Sequence, residues 1–189
     1  ESSAASDVYK RQGYYVPTTG QSSQTACLAG TYNPNTGSTS SSACGDADAG
    51  YYVPTTGQST QTACLAGTYN PNTGSTSSSA CGNADAGYYV DSTLGSGQTS
   101  QTACLAGTYN PNTGSTSSNA CGNADAGYYV DSTLGSGQST QTACLAGTYN
   151  PNTGSTSSSA CGNADAGYYV PTTGQSTQTA CLAGASKPN

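Results

Sequence analysis

A lone cysteine marks the end of every unit in a short repeat, and little else in the chain can hold a fold together. The nine cysteines stand at 27, 44, 64, 81, 104, 121, 144, 161 and 181. Two segments alternate between them. AGTYNPNTGSTSSSAC (residues 29–44) defines a TYN unit and AGYYVPTTGQSTQTAC (residues 49–64) a YYV unit, and the two align without a gap. YYV units end at Cys27, Cys64, Cys104, Cys144 and Cys181, and TYN units at Cys44, Cys81, Cys121 and Cys161. With no Met, Trp, Phe or His among 189 residues and 25 glycines, the apolar stock is Ala, Tyr, Leu and Val. One large close-packed core cannot be built from that stock. Intrinsic disorder fits no better, because disordered chains of low hydrophobicity carry high charge and only 6% of this chain is charged. Small modules stapled by disulfides are what remains.

Cysteine spacing carries the next step. From each YYV cysteine to the following TYN cysteine the interval is always 17 positions, whereas the other interval varies between 20 and 23. A bridge fixes the span that it closes, so the spacing favours Cys27–Cys44, Cys64–Cys81, Cys104–Cys121 and Cys144–Cys161, with Cys181 left unpaired. The shifted pairing, Cys44–Cys64 onward, strands Cys27 and must close two loop sizes; connectivity stays open from sequence alone. The longer interval arises where Asp-Ser-Thr-Leu-Gly-Ser-Gly (residues 91–97 and 131–137) replaces Pro-Thr-Thr-Gly, an insertion expected to lengthen a loop without breaking register. Tyr-Tyr-Val and Thr-Tyr suit short strands, and Asn-Pro-Asn-Thr-Gly and Pro-Thr-Thr-Gly suit turns. Of each Tyr-Tyr pair, one ring is expected over the disulfide and the Ala-Gly backbone, and the other facing outward.

The ends depart from the repeat. Residues 2–12 (SSAASDVYKRQ) resemble the in-frame translation of a transposase sequencing adapter, so residues 1–12 are read as a non-native leader rather than a processed polar one. The repeats then fill residues 13–184. Residues 185–189 are read as a truncated further unit, since Pro188-Asn189 aligns with Pro151-Asn152.

Cys64-Leu65-Ala66-Gly67-Thr68-Tyr69, followed by Thr73-Gly74-Ser75 and Cys81, resembles the ephrin-receptor-like cysteine-rich repeat, a distant relative of tumour-necrosis-factor-receptor-type modules. That pattern has a Cys-x-x-Cys junction. Here one cysteine per junction is kept, with Ala84 where a second would follow Cys81 and Gln61 where a first would precede Cys64. The resemblance implies an elongated extracellular rod of small disulfide modules. The expected fold is therefore small, disulfide-rich, mostly β and irregular: an elongated tandem-repeat rod of short β-hairpin modules. The alternative is a β-solenoid, one coil per unit, with disulfides between aligned cysteines of neighbouring coils.

Few chemistries are available to such a chain. Catalysis needs an acid, base, nucleophile or metal set in a preorganised pocket, and with no histidine, and Lys187 the one basic residue after the leader, most sets are missing. No enzyme is expected. Zinc would need close cysteine pairs or histidines. Calcium is the one metal with a candidate motif, the Gly-Asp/Asn-Ala-Asp junction at Asp46/Asp48, Asn83/Asp85, Asn123/Asp125 and Asn163/Asp165. Six to eight oxygens are wanted and two or three side chains are visible, so the expectation is an Asx-type turn and no cofactor. A net charge of −6 with no basic residue inside the repeat excludes nucleic acid and disfavours anionic membranes. No segment is long and apolar enough to insert in a membrane. Ser/Thr runs such as residues 38–42 suit O-glycosylation.

The leading expectation is a non-catalytic structural or adhesive segment of a large secreted or cell-surface protein. Its partners would be extracellular protein or glycan surfaces, with self-association as a further option. An ectodomain stalk of a receptor-like protein is the second expectation. An ice-binding repeat, suggested by Thr56, Thr60 and Thr62, is the third.

Overall fold

The structure, a computed structural model, describes residues 11–18, 21–182 and 184; the expectations for residues 1–10 and 185–189 lie outside them. Among the described residues it is a tandem of nine two-stranded antiparallel hairpins. Five are YYV hairpins: Tyr14–Tyr15 with Thr25–Ala26, Tyr51–Tyr52 with Thr62–Ala63, Tyr88–Tyr89 with Thr102–Ala103, Tyr128–Tyr129 with Thr142–Ala143, and Tyr168–Tyr169 with Thr179–Ala180. Four are TYN hairpins: Thr31–Tyr32 with Gly45–Asp46, Thr68–Tyr69 with Gly82–Asn83, Thr108–Tyr109 with Gly122–Asn123, and Thr148–Tyr149 with Gly162–Asn163. Among the described residues helix is confined to single 3-10 turns such as Ser78–Ala80, which Ser77 caps by accepting from the Ser79 N–H at 3.2 Å.

Four disulfides join Cys27–Cys44, Cys64–Cys81, Cys104–Cys121 and Cys144–Cys161, with Cα atoms 5.5–5.6 Å apart. Each closes one TYN hairpin. The solenoid alternative needs bridges between neighbouring coils on parallel ladders. Here the ladders are antiparallel and local, and parallel pairing is limited, among the described residues, to Tyr69–Gln98 and Tyr109–Gln138. Cys181 is free.

Hydrogen-bond register equates the two unit types differently from their gapless alignment. The residue that closes each hairpin donates its N–H to the glycine that opens it: Ala47 to Gly30, Cys64 to Gly50, Cys104 to Gly87, Ala164 to Gly147. Cys64 therefore corresponds to Ala47, and Cys44 to Gln61. The shared Ala-Cys ending misleads because Ala43 closes a 3-10 turn whereas Ala63 lies in a strand. Insertion of Asp-Ser-Thr-Leu-Gly-Ser-Gly leaves the ladder intact, since Tyr88 faces Ala103 just as Tyr51 faces Ala63. The added residues form the turn Ser92–Leu94, capped by the Asp91 carboxylate accepting from the Thr93 N–H at 2.9 Å.

Contacts divide the chain into two compact units, residues 1–83 with 90–100 and residues 84–89 with 101–189. In the first, YYV and TYN hairpins are joined by Gly50 N–H to Asn70 C=O (2.8 Å) and Val53 N–H to Ser75 C=O (2.9 Å). In the second, the same bonds run from Gly87 to Asn110, from Gly127 to Asn150 and from Val130 to Ser155. Glycine is obligatory where hairpins meet so closely. Gly87 has φ +89°, and a Cβ there would lie 2.1 Å from the Gly137 carbonyl oxygen.

The buried residues of each unit are small. Val53, Val90 and Val130 are fully buried, as are Ala47 and Ala124, and Cys64, Cys104 and Cys144 almost so. Asn33, Asn70, Asn110 and Asn150, also at 0% exposure, occupy in TYN hairpins the place of those valines.

Candidate functional site

Each TYN hairpin carries a shallow cleft beside its disulfide. In the first unit one copy is lined by Tyr52, Thr62, Cys64, Leu65, Ser78 and Cys81, and encloses about 250 Å³. The others, beside Cys27–Cys44, Cys104–Cys121 and Cys144–Cys161, enclose 260–270 Å³ with the equivalent residues. No charged side chain lines any of them. At the rim Leu28, Leu65, Leu105 and Leu145 are 71–77% exposed. These leucines stay outside because the preceding cysteine turns inward into its bridge. Thr68 Oγ1 holds the turn by donating to the Leu65 carbonyl at 2.7 Å.

The two rings of each Tyr-Tyr pair have separate tasks. The second ring (Tyr15, Tyr52, Tyr89, Tyr129) borders the cleft, as expected of a ring near the disulfide. In these four pairs the first does not face outward. A Cβ on Gly97 would lie 3.0 Å from the Tyr51 hydroxyl, and Tyr88 stands likewise against Gly137. The ring covers a bare glycine in the turn of the following YYV hairpin, where it loses less area to water.

A second recurring cluster lies at the Gly-Asp/Asn-Ala-Asp junction. Its first residues sit in strands, Asp46 opposite Thr31, Asn83 opposite Thr68, Asn123 opposite Thr108 and Asn163 opposite Thr148. Its second residues, Asp48, Asp85, Asp125 and Asp165, each clasp a glutamine. Gln61 Nε2 donates to Asp48 Oδ2 at 2.6 Å, while Gln61 Oε1 accepts from the Asp48 N–H at 2.7 Å. Gln101 with Asp85, Gln141 with Asp125 and Gln178 with Asp165 repeat the pair. No group of three or more His, Cys, Asp or Glu able to hold a metal occurs among the described residues. The register gives the clasp its meaning. Gln101 and Ala84 occupy in a YYV hairpin the places of Cys81 and Cys64 in a TYN hairpin, so the Gln–Asp pair closes four of the five hairpins that have no bridge; in the first, Arg11 stands in the place of the aspartate.

The buried asparagines are a third constellation, and sequence reasoning missed them. Asn70 Nδ2 donates to the Tyr51 carbonyl (3.0 Å) and to Ser75 Oγ (2.9 Å), and its Oδ1 accepts from the Asn72 N–H (3.1 Å). Asn33, Asn110 and Asn150 repeat all three contacts. Such a side chain is buried because it is fully satisfied. The signal was available: the buried asparagine aligns with Val, as Asn33 does with Val53, whereas the second asparagine of the same turn aligns with a polar residue, as Asn35 does with Thr55.

Electrostatic perturbations are few. The Thr93 and Thr133 hydroxyls and N–H groups hold the Asp91 and Asp131 carboxyls below the usual carboxylate range. Burial, and then the neighbouring Asp125, pushes the Tyr109 phenol up. Among the described residues no helix is long and apolar enough to cross a membrane. Four disulfides are compatible with an extracellular or secreted protein. No protein-family model matches the chain, and no curated protein shows significant similarity to it.

Proposed function

We propose that the chain is a non-catalytic structural and adhesive repeat segment of a secreted or cell-surface protein, built from modules of the ephrin-receptor-like kind. One observation carries this reading: the same uncharged cleft, rimmed by an exposed leucine, recurs beside all four disulfides. A monomeric surface scatters its exposed apolar residues, and a periodic set presented in one chemical setting suits contact with a partner. Individually each cleft offers one leucine and one tyrosine edge. Linked in tandem, weak contacts gain effective concentration, so avidity exceeds any single site. The partner surface is extracellular protein or glycan, because the clefts offer hydroxyls and apolar atoms and no charge.

The test is adhesion of the oxidised chain, immobilised, to a panel of extracellular-matrix proteins and neutral glycans. Serine replaces Leu28, Leu65, Leu105 and Leu145 one at a time and then together. Retention should fall more steeply than in proportion to the leucines removed, with disulfides and circular dichroism unchanged. Equal retention by the parent and the fourfold variant, or none on any surface, refutes the reading.

A further inference from the structure

Leucine is the largest aliphatic side chain in this protein, and from residue 28 to residue 145 none of it enters the core. All six leucines of that span are 71–77% exposed, while Val53, Val90 and Val130 are fully buried. Four of the six rim the clefts beside the disulfides. The other two, Leu94 and Leu134, stand in the Asp-Ser-Thr-Leu-Gly-Ser-Gly loops.

Both loops are fixed by hydrogen bonds. The Asp91 carboxylate accepts from the Thr93 N–H at 2.9 Å and from the Thr93 hydroxyl at 2.6 Å. Gln98 Nε2 donates to the Asp91 and Gly95 carbonyls and so bridges the base of the turn. Gly97 N–H donates to the Cys64 carbonyl at 2.9 Å, which ties the loop to a bridged cysteine. Asp131, Thr133, Gln138 and Gly137 repeat the set around Leu134. Each loop thus holds one leucine out in water on a set backbone, and docking a pre-ordered side chain costs little further ordering. The fold does not need that leucine. The Tyr51–Tyr52 hairpin keeps the same ladder with Pro-Thr-Thr-Gly in its place.

The chain also carries a receptacle of matching size and character. Residues 84–123 and 124–163 are copies that differ only at Thr99/Ser139, Ser100/Thr140 and Asn119/Ser159. Each copy holds one such leucine and one whole cleft: Leu94 with the cleft beside Cys104–Cys121, and Leu134 with that beside Cys144–Cys161. These clefts enclose 260–270 Å³. A cavity of about 150 Å³ already takes benzene, which has more carbons than a leucine side chain. Contact between copies of a chain of net charge −6 needs surfaces free of charge. No charged side chain lines the clefts, and the Asp91 carboxylate beside the leucine is engaged by Thr93. Neither leucine occupies a cleft of its own chain, since both are 73% exposed.

We propose that Leu94 and Leu134 are knobs for the disulfide clefts of a second copy of this chain, so that the segment assembles with itself. This rests on the reading of the clefts as contact sites and names their occupant. Knob and cleft are different places on one molecule, so the contact is heterologous. Each copy that joins brings a further knob and a further cleft, and growth is open-ended. Single contacts are weak and gain by repetition along the chain.

The experiment is sedimentation equilibrium of the full, oxidised chain, with Cys181 alkylated, from micromolar to millimolar concentration. The average mass of the parent should rise without a plateau at the dimer. Leu94→Ser with Leu134→Ser should weaken association by about tenfold or more. A second knobless variant, with Pro-Thr-Thr-Gly in place of residues 91–97 and 131–137, guards against a local effect of serine. The cleft variant, with serine at Leu28, Leu65, Leu105 and Leu145, should associate as weakly. Mixing a knobless variant with the cleft variant should form complexes that neither forms alone, because one keeps its clefts and the other its knobs. A parent that stays monomeric overturns the proposal, and so does unchanged association of either knobless variant or a mixture that forms no complex. Adhesion to matrix proteins and neutral glycans is read on the same samples. A parent that adheres through its cleft leucines yet stays monomeric overturns this inference and leaves the adhesive reading standing. Self-association with no adhesion to any surface does the reverse.

Discussion

Replacing Asn70 by alanine tests the packing logic most directly. Asn70 is fully buried, and its amide bonds to the Tyr51 carbonyl, Ser75 Oγ and the Asn72 N–H. The Ser75 hydroxyl can rotate to another partner. The Tyr51 carbonyl and Asn72 N–H cannot, so Asn70→Ala strands two backbone groups. At about 1–3 kcal/mol for each buried unsatisfied group, the cost is roughly 2–6 kcal/mol. Asn72→Ala is the control, because the Asn72 side chain is exposed and only its backbone N–H serves the hub. Exchange of the Gly50 amide, which donates to the Asn70 carbonyl, reads the local opening without assuming that the whole repeat unfolds as one transition. Gly50 should exchange much faster in Asn70→Ala and little faster in Asn72→Ala. Asn70→Val, the residue that fills the same place in YYV hairpins, should fail nearly as badly, because volume is restored and the two polar groups are not. Asn70→Ala that costs no more than Asn72→Ala would refute the reasoning.

Four further outcomes are expected. Ala84→Cys with Gln101→Cys recreates the 17-position interval of Cys64–Cys81, so the double variant should close a fifth bridge, leave one free thiol on titration, and gain roughly 3 kcal/mol in the chain-entropy model; two extra free thiols would disprove the equivalence of clasp and disulfide. Gly87→Ala should destabilise well beyond Gly95→Ala, since both have positive φ but only Gly87 is pressed against a carbonyl oxygen; Gly95→Ala should cost about 1–3 kcal/mol from conformation alone, and equal denaturation midpoints would contradict this. The Asp91 carboxyl lies below its ordinary 3.8 in the folded chain, so its cap contributes fully above that value and is lost as the pH falls through the lower folded value; Thr93 amide exchange should accelerate only in that acid range, and Asp91→Asn should abolish the dependence. Thiol titration of the oxidised chain should find Cys181 alone, and reduction should open the TYN hairpins, at about 3 kcal/mol per bridge, before the clasped YYV hairpins; amide exchange that rises in YYV hairpins first would reverse that order.

Much of this molecule was legible in one dimension. A repeat with so little apolar matter admits only small modules, and a cysteine interval that never departs from seventeen marks the span that each bridge closes. Insertions of three residues signal a loop, because a ladder cannot absorb an odd number without turning its faces over. The Ala-Cys endings were read in the wrong frame, since residue identity is shared there and backbone conformation is not. Tertiary structure alone decided that Gln61 and Gln101 close unbridged hairpins. Their partners Asp48 and Asp85 lie 13 and 16 positions away, and nothing in the sequence singles out those pairs. It also decided that the asparagine of each Thr-Tyr-Asn is buried rather than exposed in its turn. A side chain with both donors and an acceptor can lie in a turn or in a core with equal local ease. Which it does depends on whether another strand brings a carbonyl within reach, and the Tyr51 carbonyl reaches Asn70 only when two hairpins are stacked.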